Sequence, residues 1–238
     1  MKNKKGSHIE MILSFSIFMT FLVFFYFILV PSVKSNESEK ISLNNLREKL
    51  LEQTKVELNV TTLKITGALT EKDCIKIDKI GKIIELNNLI IRDNIQERGY
   101  SVSGDTLYIK KNSDNLQGKF FKIYSSDEFP NQDETLNGCD NINENEYSIG
   151  LTKSESYNSE TKINEQITLY NADYKNFKRE LNVPAGADFG FIFINNGDTI
   201  REAKIGILSK EVYAERMHIL YFDDKANVLS GFIVIQVL

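Results

Sequence analysis

The chain has 238 residues, and 29 lysines and arginines against 33 aspartates and glutamates give it a formal net charge of −4. This charge, with no long basic run and no aromatic RNA-binding signature, excludes nucleic acid from the expected partners. The sequence contains two histidines, His8 and His218. Metal centres built from cysteine and histidine, and catalysis that depends on a histidine base, are therefore hard to assemble.

The first recognisable element is an apolar stretch without charge from Met11 to Val30. About 20 helical residues, each rising about 1.5 Å, match a hydrocarbon core of about 30 Å. A secretory signal peptide has a shorter apolar region, about 7–15 residues, followed by a small-residue cleavage site. We therefore predict a retained transmembrane helix over 11–30. The alternatives are a signal peptide that is removed and a buried helix of a soluble protein.

The charges that flank this stretch predict its orientation. Three lysines lie within the first five residues, whereas Lys34 on the far side is followed closely by Glu37 and Glu39. By the positive-inside rule, residues 1–10 form a cytoplasmic tip. We predict a single-pass protein of the cell membrane with the bulk of its chain outside the cell, in contact with lipid along the transmembrane helix.

The segment after the apolar stretch reads as a linker followed by a short helix. Pro31 opens the polar run "PSVKSNESEK", and proline disfavours a continuing helix. Leu43, Leu46 and Leu50 then recur at helical spacing, with Ser42 placed to cap the first turn. Residues 31–54 are therefore expected to be a linker and a short amphipathic helix.

From residue 55 the apolar period changes to that of strands. Val56, Leu58 and Val60 alternate with polar residues, and further short apolar runs follow between turn residues: "CIKIDKI", "KIIEL", "NLIIRD", "TLYIKK", "KFFKIYSS" and "YSIGLTKS". This rhythm predicts an α+β, mainly β domain over 55–238, an antiparallel sheet or sandwich with short helices. It could divide into two subdomains near residue 160. The polar stretch between Phe129 and Tyr147 is expected to be a surface loop.

The last third has the strongest pattern. Tyr174, Phe177 and Leu181 are spaced for a helix, and the strand-like runs "FGFIFI", "AKIGIL", "MHILYF" and "GFIVIQVL" follow. Two of these runs, "FGFIFI" and "FIVIQV", are apolar on both faces, which is typical of central strands covered on both sides. We therefore expect the chain to end inside its core.

Cys74 and Cys139 are the two cysteines, and both lie on the predicted outer side. An even pair in an oxidising compartment favours one disulfide, and the alternative is two unpaired cysteines buried as small apolar residues. Asn36 in "NES" and Asn59 in "NVT" match the acceptor pattern for N-linked glycans.

No pattern of catalytic residues is evident, so we predict a protein that is not an enzyme and has no cofactor. His218 lies in a strand-like run, where a structural role is expected. Acidic residues such as Asp127, Glu128, Asp133, Glu134, Asp223 and Asp224 lie in expected loops and turns. The oxygen-rich run from Asp140 to Glu146 lacks the glycine of an EF-hand, so a solvated loop is favoured over a calcium site.

The N-terminus carries a more specific signal. A basic tip, then Lys5-Gly6, then Ser7-His8-Ile9-Glu10 leading directly into an apolar helix, resembles the class III signal of type IV pilin-like proteins, particularly the archaeal ones. The resemblance implies that a prepilin-type peptidase cuts between Gly6 and Ser7 and that the helix is kept. Glu10, the fourth residue after that cut, would then take part in assembly with like or related pilin subunits.

The resemblance therefore implies a structural or adhesive protein of a cell-surface filament, a minor or accessory pilin. The alternative is an ordinary type II membrane anchor that carries a binding domain and enters no filament.

Overall fold

The computed structural model describes residues 6–67, 70, 72–93, 96–111, 119–131, 134–184, 186–197, 200–203 and 213–237, with the backbone alone for 6–8 and 29–42. It shows an α+β, mainly β protein in which a long N-terminal helix leads into two mixed sheets. The predicted fold class is confirmed.

The helices are Gly6–Thr54 (α1), Glu160–Ala172 (α2) and Tyr174–Glu180 (α3). The strands are Lys55–Ile65 (β1), Cys74–Ile77 (β2), Leu89–Arg92 (β3), Glu97–Arg98 (β4), Tyr100–Ser103 (β5), Thr106–Lys110 (β6), Phe120–Ser125 (β7), Asp140–Ile142 (β8), Tyr147–Ser159 (β9), Phe189–Ile194 (β10), Ile200–Ala203 (β11), Tyr213–Phe222 (β12) and Val228–Val237 (β13).

Helix α1 is continuous over 49 residues, which makes it about 70 Å long. The expected linker after Pro31 is therefore wrong, because the backbone stays helical through this segment. Proline removes one backbone donor and kinks or weakens a helix. Here the apolar stretch before Pro31 and the packed leucine turns after it favour a helix on both sides, and the segment between them continues it.

The larger sheet has nine strands in the order β11-β10-β13-β12-β9-β1-β7-β3-β4. A smaller sheet has the order β5-β6-β2-β8. Most neighbours are antiparallel, as expected, but β12 with β9 and β2 with β8 are parallel pairs. Strands β12 and β9 pair only through Tyr221–Asn158 and Phe222–Ser159, so this contact is a narrow seam in the described part of the larger sheet.

The three helices cover one face of β11, β10, β13 and β12. Their apolar residues meet the phenylalanines of β10 and the isoleucines of β13 in one core. In α2, Ser159 caps the first turn by accepting from the Lys162 backbone N–H, and Ile163, Ile167 and Tyr170 form the buried stripe. The Tyr170 hydroxyl donates to the Phe189 carbonyl at 2.7 Å, which satisfies this buried polar group.

The smaller sheet packs against the other end of the larger one. Leu63 and Ile65 of β1, together with apolar residues of β3 and β7, share a core with β2, β5, β6 and β8. Cross-strand pairing and alternation place Leu63 and Ile65 on the face of the larger sheet that also carries the helices. A third, smaller core, which includes Leu58, Phe129 and Phe222, lies on the opposite face.

Several local predictions need correction. The run "KIIEL" is not a strand: a 3₁₀ turn, Ile80–Lys82, follows Lys79 at a φ of 59°, and Ile80 and Ile84 are buried four residues apart. The expected loop between Phe129 and Tyr147 contains strand β8, whose Asp140 and Ile142 are buried beside β2. Helix α2 and strand β5 were not predicted. Most of "AKIGIL" lies outside the described residues.

Candidate membrane and assembly helix

Helix α1 consists of two halves with different surroundings. Among the described residues, Ile9–Ile28 is the helical segment long and apolar enough to cross a membrane. Its large apolar side chains are between 44% and 72% exposed, and they point in all directions around the axis. A helix that is apolar all round and uncovered by its own domain needs a surrounding of lipid or of other apolar helices.

The second half of α1 belongs to the globular domain. Leu46 and Leu50 are 3% and 0% exposed in the core beneath the helices. Arg47 forms an ion pair with Glu215 of β12 at 3.0 Å. The Thr54 hydroxyl donates to the Asn158 side-chain oxygen at 2.9 Å, and the Asn158 amide donates to the Leu220 carbonyl at 3.0 Å. Asn158 therefore joins the end of α1 to both strands of the seam.

The residues predicted for processing and assembly lie at the N-terminal end of α1. Gly6 is the first residue of the helix, Ser7 follows it, and Glu10 is exposed next to the first apolar residues. Glu10 is the one charged residue between Ile9 and Ile28. The lysines at positions 2, 4 and 5 lie outside the described residues. Gly6, Ser7 and Glu10 are thus adjacent on one helix end, remote in sequence from the buried turns of α1.

Cys74 and Cys139 form a disulfide in the structure. Their Cα atoms are 4.6 Å apart, at the start of β2 and immediately before β8. The bond ties together two segments separated by 65 residues, which by chain-entropy arguments stabilises the fold by about 4 kcal/mol. It also fixes the register in which Asp140 of β8 lies opposite Ile75 of β2.

A buried ion pair next to this disulfide was not anticipated. The Lys111 ammonium donates to the Asp140 carboxylate at 2.8 Å and to the Thr70 carbonyl at 2.6 Å. The Thr70 backbone N–H and hydroxyl both donate to the same carboxylate. Burial of Asp140 favours the neutral acid, but the bonds from Lys111 and Thr70 outweigh it and hold the pKa of the carboxyl below its usual value.

A second buried pair supports the same region. The Arg98 guanidinium is 1% exposed and donates to the Asp93 carboxylate and, at 2.8 Å, to the Lys111 carbonyl. The two pairs therefore meet at Lys111. No short sequence motif marks them, because Lys111 and Asp140 are 29 residues apart and each lies in a polar run.

The histidine and the acidic residues singled out in the sequence lie at separate places in the domain. His218 is exposed on β12, with its ring 5.5 Å from that of Phe232. Asp223 caps the turn between β12 and β13, and Glu128 and Glu134 form ion pairs with Lys162 and Lys110. Asp127 and Asp224 are exposed, and Asp133 lies outside the described residues. In the described part of the chain, no group of three or more His, Cys, Asp or Glu residues is placed to hold a metal ion.

Two further predicted positions are the possible glycan acceptors. Asn36 lies in α1. Asn59 lies in the interior of β1, where it faces Ser125 of β7 on one side and Ser154 of β9 on the other. Glycan acceptors are typical of surface loops, so a half-buried position in a central strand is unusual for one.

In comparisons with known proteins, no family model, no curated protein and no solved structure matches this chain.

Proposed function

We propose that this chain is a membrane-anchored, pilin-like surface subunit, in which α1 is first a transmembrane anchor and then the packing helix of an assembly. The domain formed by 55–238 would be displayed outside the cell in a structural or adhesive role. The resemblance of residues 5–10 to a class III signal suggested this function, and the form of α1 supports it.

The observation that carries the proposal is the continuity of α1. One helix contains both the exposed apolar segment Ile9–Ile28 and the buried turns around Leu46 and Leu50. Such a helix can leave lipid and enter a bundle of like helices while the domain stays attached to its other end. A flexible linker at this position would let the domain move independently of its anchor, whereas here a helix joins the two.

The energetics of the apolar segment agree with an anchor. From Met11 to Val30 the sequence has 14 leucine, isoleucine, valine and phenylalanine residues. Each favours insertion by about 0.3–0.6 kcal/mol, and together they exceed the roughly 2.5–3.5 kcal/mol that an acidic residue costs at the membrane centre. Glu10 lies at the border, where the cost is smaller. The segment can therefore insert into the membrane together with Glu10. Pairing with a positive group would still lower the free energy of Glu10.

The test is processing at Gly6. In cells that contain a prepilin-type peptidase, we expect the intact mass of the membrane-extracted protein to lack Met1–Gly6, with Ser7 as the first residue. Gly6→Leu should leave the full-length precursor in the membrane, because a bulky side chain occupies the position before the cut. Asn3→Leu is the matched control, since it adds the same side chain to the leader and leaves Gly6 in place.

Assembly is tested separately with Glu10→Gln. The variant should be cut as the wild type is but should enter filaments less well. Cutting creates an N-terminal amine at Ser7, and the neutral amide of Gln cannot form an ion pair with that amine in a neighbouring subunit, whereas the carboxylate of Glu10 can. An unprocessed wild-type chain in cells shown to contain active peptidase would contradict the proposal. The chain would then be a membrane-tethered binding domain, the alternative interpretation of the same N-terminus.

A further inference from the structure

Helix α1 and strand β1 run in opposite directions along the larger sheet. At the end of α1, Thr54 bonds to Asn158, which pairs with Lys55 at the start of β1. About two turns earlier, Arg47 pairs with Glu215 of β12. Since β12 is parallel to β9 and β9 is antiparallel to β1, a step back along β12 follows β1 forward. The exposed half of α1 therefore leaves the domain past the far end of β1.

The lengths of the two elements place this far end of β1 close to the membrane surface. Residues 29–54 extend α1 about 39 Å beyond the apolar segment Ile9–Ile28. Strand β1 has 11 residues and returns about 35 Å of that distance. The few ångströms that remain are less than the depth of the headgroup region, which is about 5–8 Å on each side of the hydrocarbon core.

The far end of β1 carries basic and apolar side chains on one face of the sheet. The Lys64 ammonium lies 5.3 Å from the centre of the Phe120 ring, and Phe120 is 47% exposed. In the next row Thr62 pairs with the exposed Lys122, and Leu151, at the β-bulge beside Thr62, is 72% exposed. Neither lysine forms an ion pair within the described ranges. We call Lys64, Phe120, Lys122 and Leu151 the basal patch.

We propose that the basal patch contacts anionic lipid headgroups of the membrane that holds α1. The inference rests on the anchor in the proposed function, because α1 sets the height of the patch above the lipid. Lysines at this height attract lipid phosphates, and their aliphatic stems, with Phe120 and Leu151, supply apolar surface to the interface.

Placement selects lipid over a soluble partner. A membrane helix that passes into the domain without a flexible linker keeps the patch within reach of the headgroups at all times. The chain as a whole has a net charge of −4 and is repelled by an anionic surface, so two lysines without acidic partners mark the side that can approach it. Contact at this end would hold the domain upright and present the opposite end of the sheet to the outside.

The experiment measures the depth of a single indole in the full chain. The protein contains no tryptophan, so Phe120→Trp introduces a unique fluorophore in the patch. In vesicles of phosphatidylcholine and phosphatidylglycerol, a nitroxide on the lipid headgroup should quench it about twofold or more, because the indole lies within the headgroup region, about 5–8 Å deep. Val228→Trp is the matched control. Val228 is 44% exposed and pairs with Phe222 at the opposite end of the sheet, so its indole should stay nearly unquenched.

Charge reversal tests the headgroup contact itself. In the Phe120→Trp chain, Lys64→Glu/Lys122→Glu should reduce the quenching about twofold, to the level seen in vesicles of phosphatidylcholine alone, because each lysine near the surface contributes to the attraction. Salt at about 1 M, where the Debye length is about 3 Å, should have the same effect. Lys55→Glu/Lys225→Glu makes the same change in net charge at the opposite end and should leave the quenching unchanged.

Flotation with the vesicles verifies that each variant is anchored, and thermal unfolding verifies that its domain is folded. A chain that does not float would contradict the anchor, and this inference would fail with it. A chain that floats but shows equal quenching at positions 120 and 228 would overturn this inference and leave the anchor in place. Quenching at position 120 that does not respond to Lys64→Glu/Lys122→Glu would overturn the contact with anionic headgroups.

Discussion

At the scale of single residues, the most consequential feature is a lysine and an aspartate buried beside a disulfide. Lys111 and Asp140 are 4% and 6% exposed, and the hydrogen-bond donors of Thr70 complete the coordination of the carboxylate. Removing one member of a buried pair leaves the other charge without compensation, which costs more than the pair itself contributes. The region is therefore sensitive to a substitution that keeps shape and removes charge.

We predict that Asp140→Asn lowers the free energy of unfolding by about 3 kcal/mol at neutral pH, because Lys111 stays buried and loses its counter-charge. Urea titration of the full chain in detergent measures it. The control is Asp78→Asn, which breaks the partly exposed pair with Lys76 and should lower the free energy of unfolding much less, because solvent screens that pair. Equal losses in the two variants would show that burial of the Asp140 pair contributes nothing.

The same pair gives a pH dependence. The folded-state pKa of Asp140 is below its unfolded value of about 3.9, so its contribution is fully present above that pH and is lost as the pH falls towards the folded pKa. We therefore expect the stability difference between wild type and Asp140→Asn to shrink below about pH 4. A difference that stays constant down to pH 2 would contradict this assignment.

Some of these residues could be predicted from the sequence, and others could not for a physical reason. The cysteines could be paired because two cysteines permit one connectivity. The ion pair of Lys111 and Asp140 could not be predicted, because a charged residue in a polar run is expected to be exposed to solvent. Their burial follows from the pairing of β8 with β2. This is a tertiary contact, and no local periodicity of the sequence indicates it.

At the scale of elements, α1 is held to the domain by a short apolar stripe. Leu50 is 0% exposed in the core between α1 and the sheet. Leu50→Ala should lower the free energy of unfolding by about 2–4 kcal/mol and speed hydrogen exchange of the backbone over 43–54. Glu52→Ala, on the exposed side of the same turn, is the control and should change neither quantity measurably.

A result in which Leu50→Ala leaves exchange over 43–54 unchanged would mean that the ion pair of Arg47 and the bond of Thr54 suffice to hold the helix. Either outcome can be read from the full chain, since the exposed half of α1 remains in detergent in both variants.

Most strands were predictable because their apolar residues alternate, as in β1, or form short apolar runs, as in β10 and β13. The run "KIIEL" was wrongly predicted to be a strand, because an apolar run of this length fits one helical turn as well as a strand. Helix α2 carries a readable signal, Ser159 as cap with Ile163, Ile167 and Tyr170 at helical spacing. Pro31 does not end α1, although proline usually disfavours a continuing helix.

At the scale of the whole molecule, orientation in the membrane decides the chemistry of the cysteines. Protease added to intact cells should digest the chain beyond Val33 and spare the lysine tip, because the positive-inside rule predicts a cytoplasmic tip. The proposed orientation would place the domain in an oxidising compartment, so mass spectrometry without reductant should then show the link between Cys74 and Cys139. A protected domain with two alkylatable thiols would contradict this orientation.

The direct passage from α1 into β1 determines how the molecule would carry tension. A pull on the helix enters the domain at Lys55 and runs along β1, which is bonded to β9 on one side and to β7 on the other. The load therefore acts along the strands and is shared by many backbone hydrogen bonds at once, whereas a hairpin pulled from its open end would lose them one by one. The two residue pairs that join β9 to β12 lie beside this path and do not carry the load. The domain should therefore stay attached to α1 under a force along β1 that would separate β9 from β12 if it acted across those two pairs.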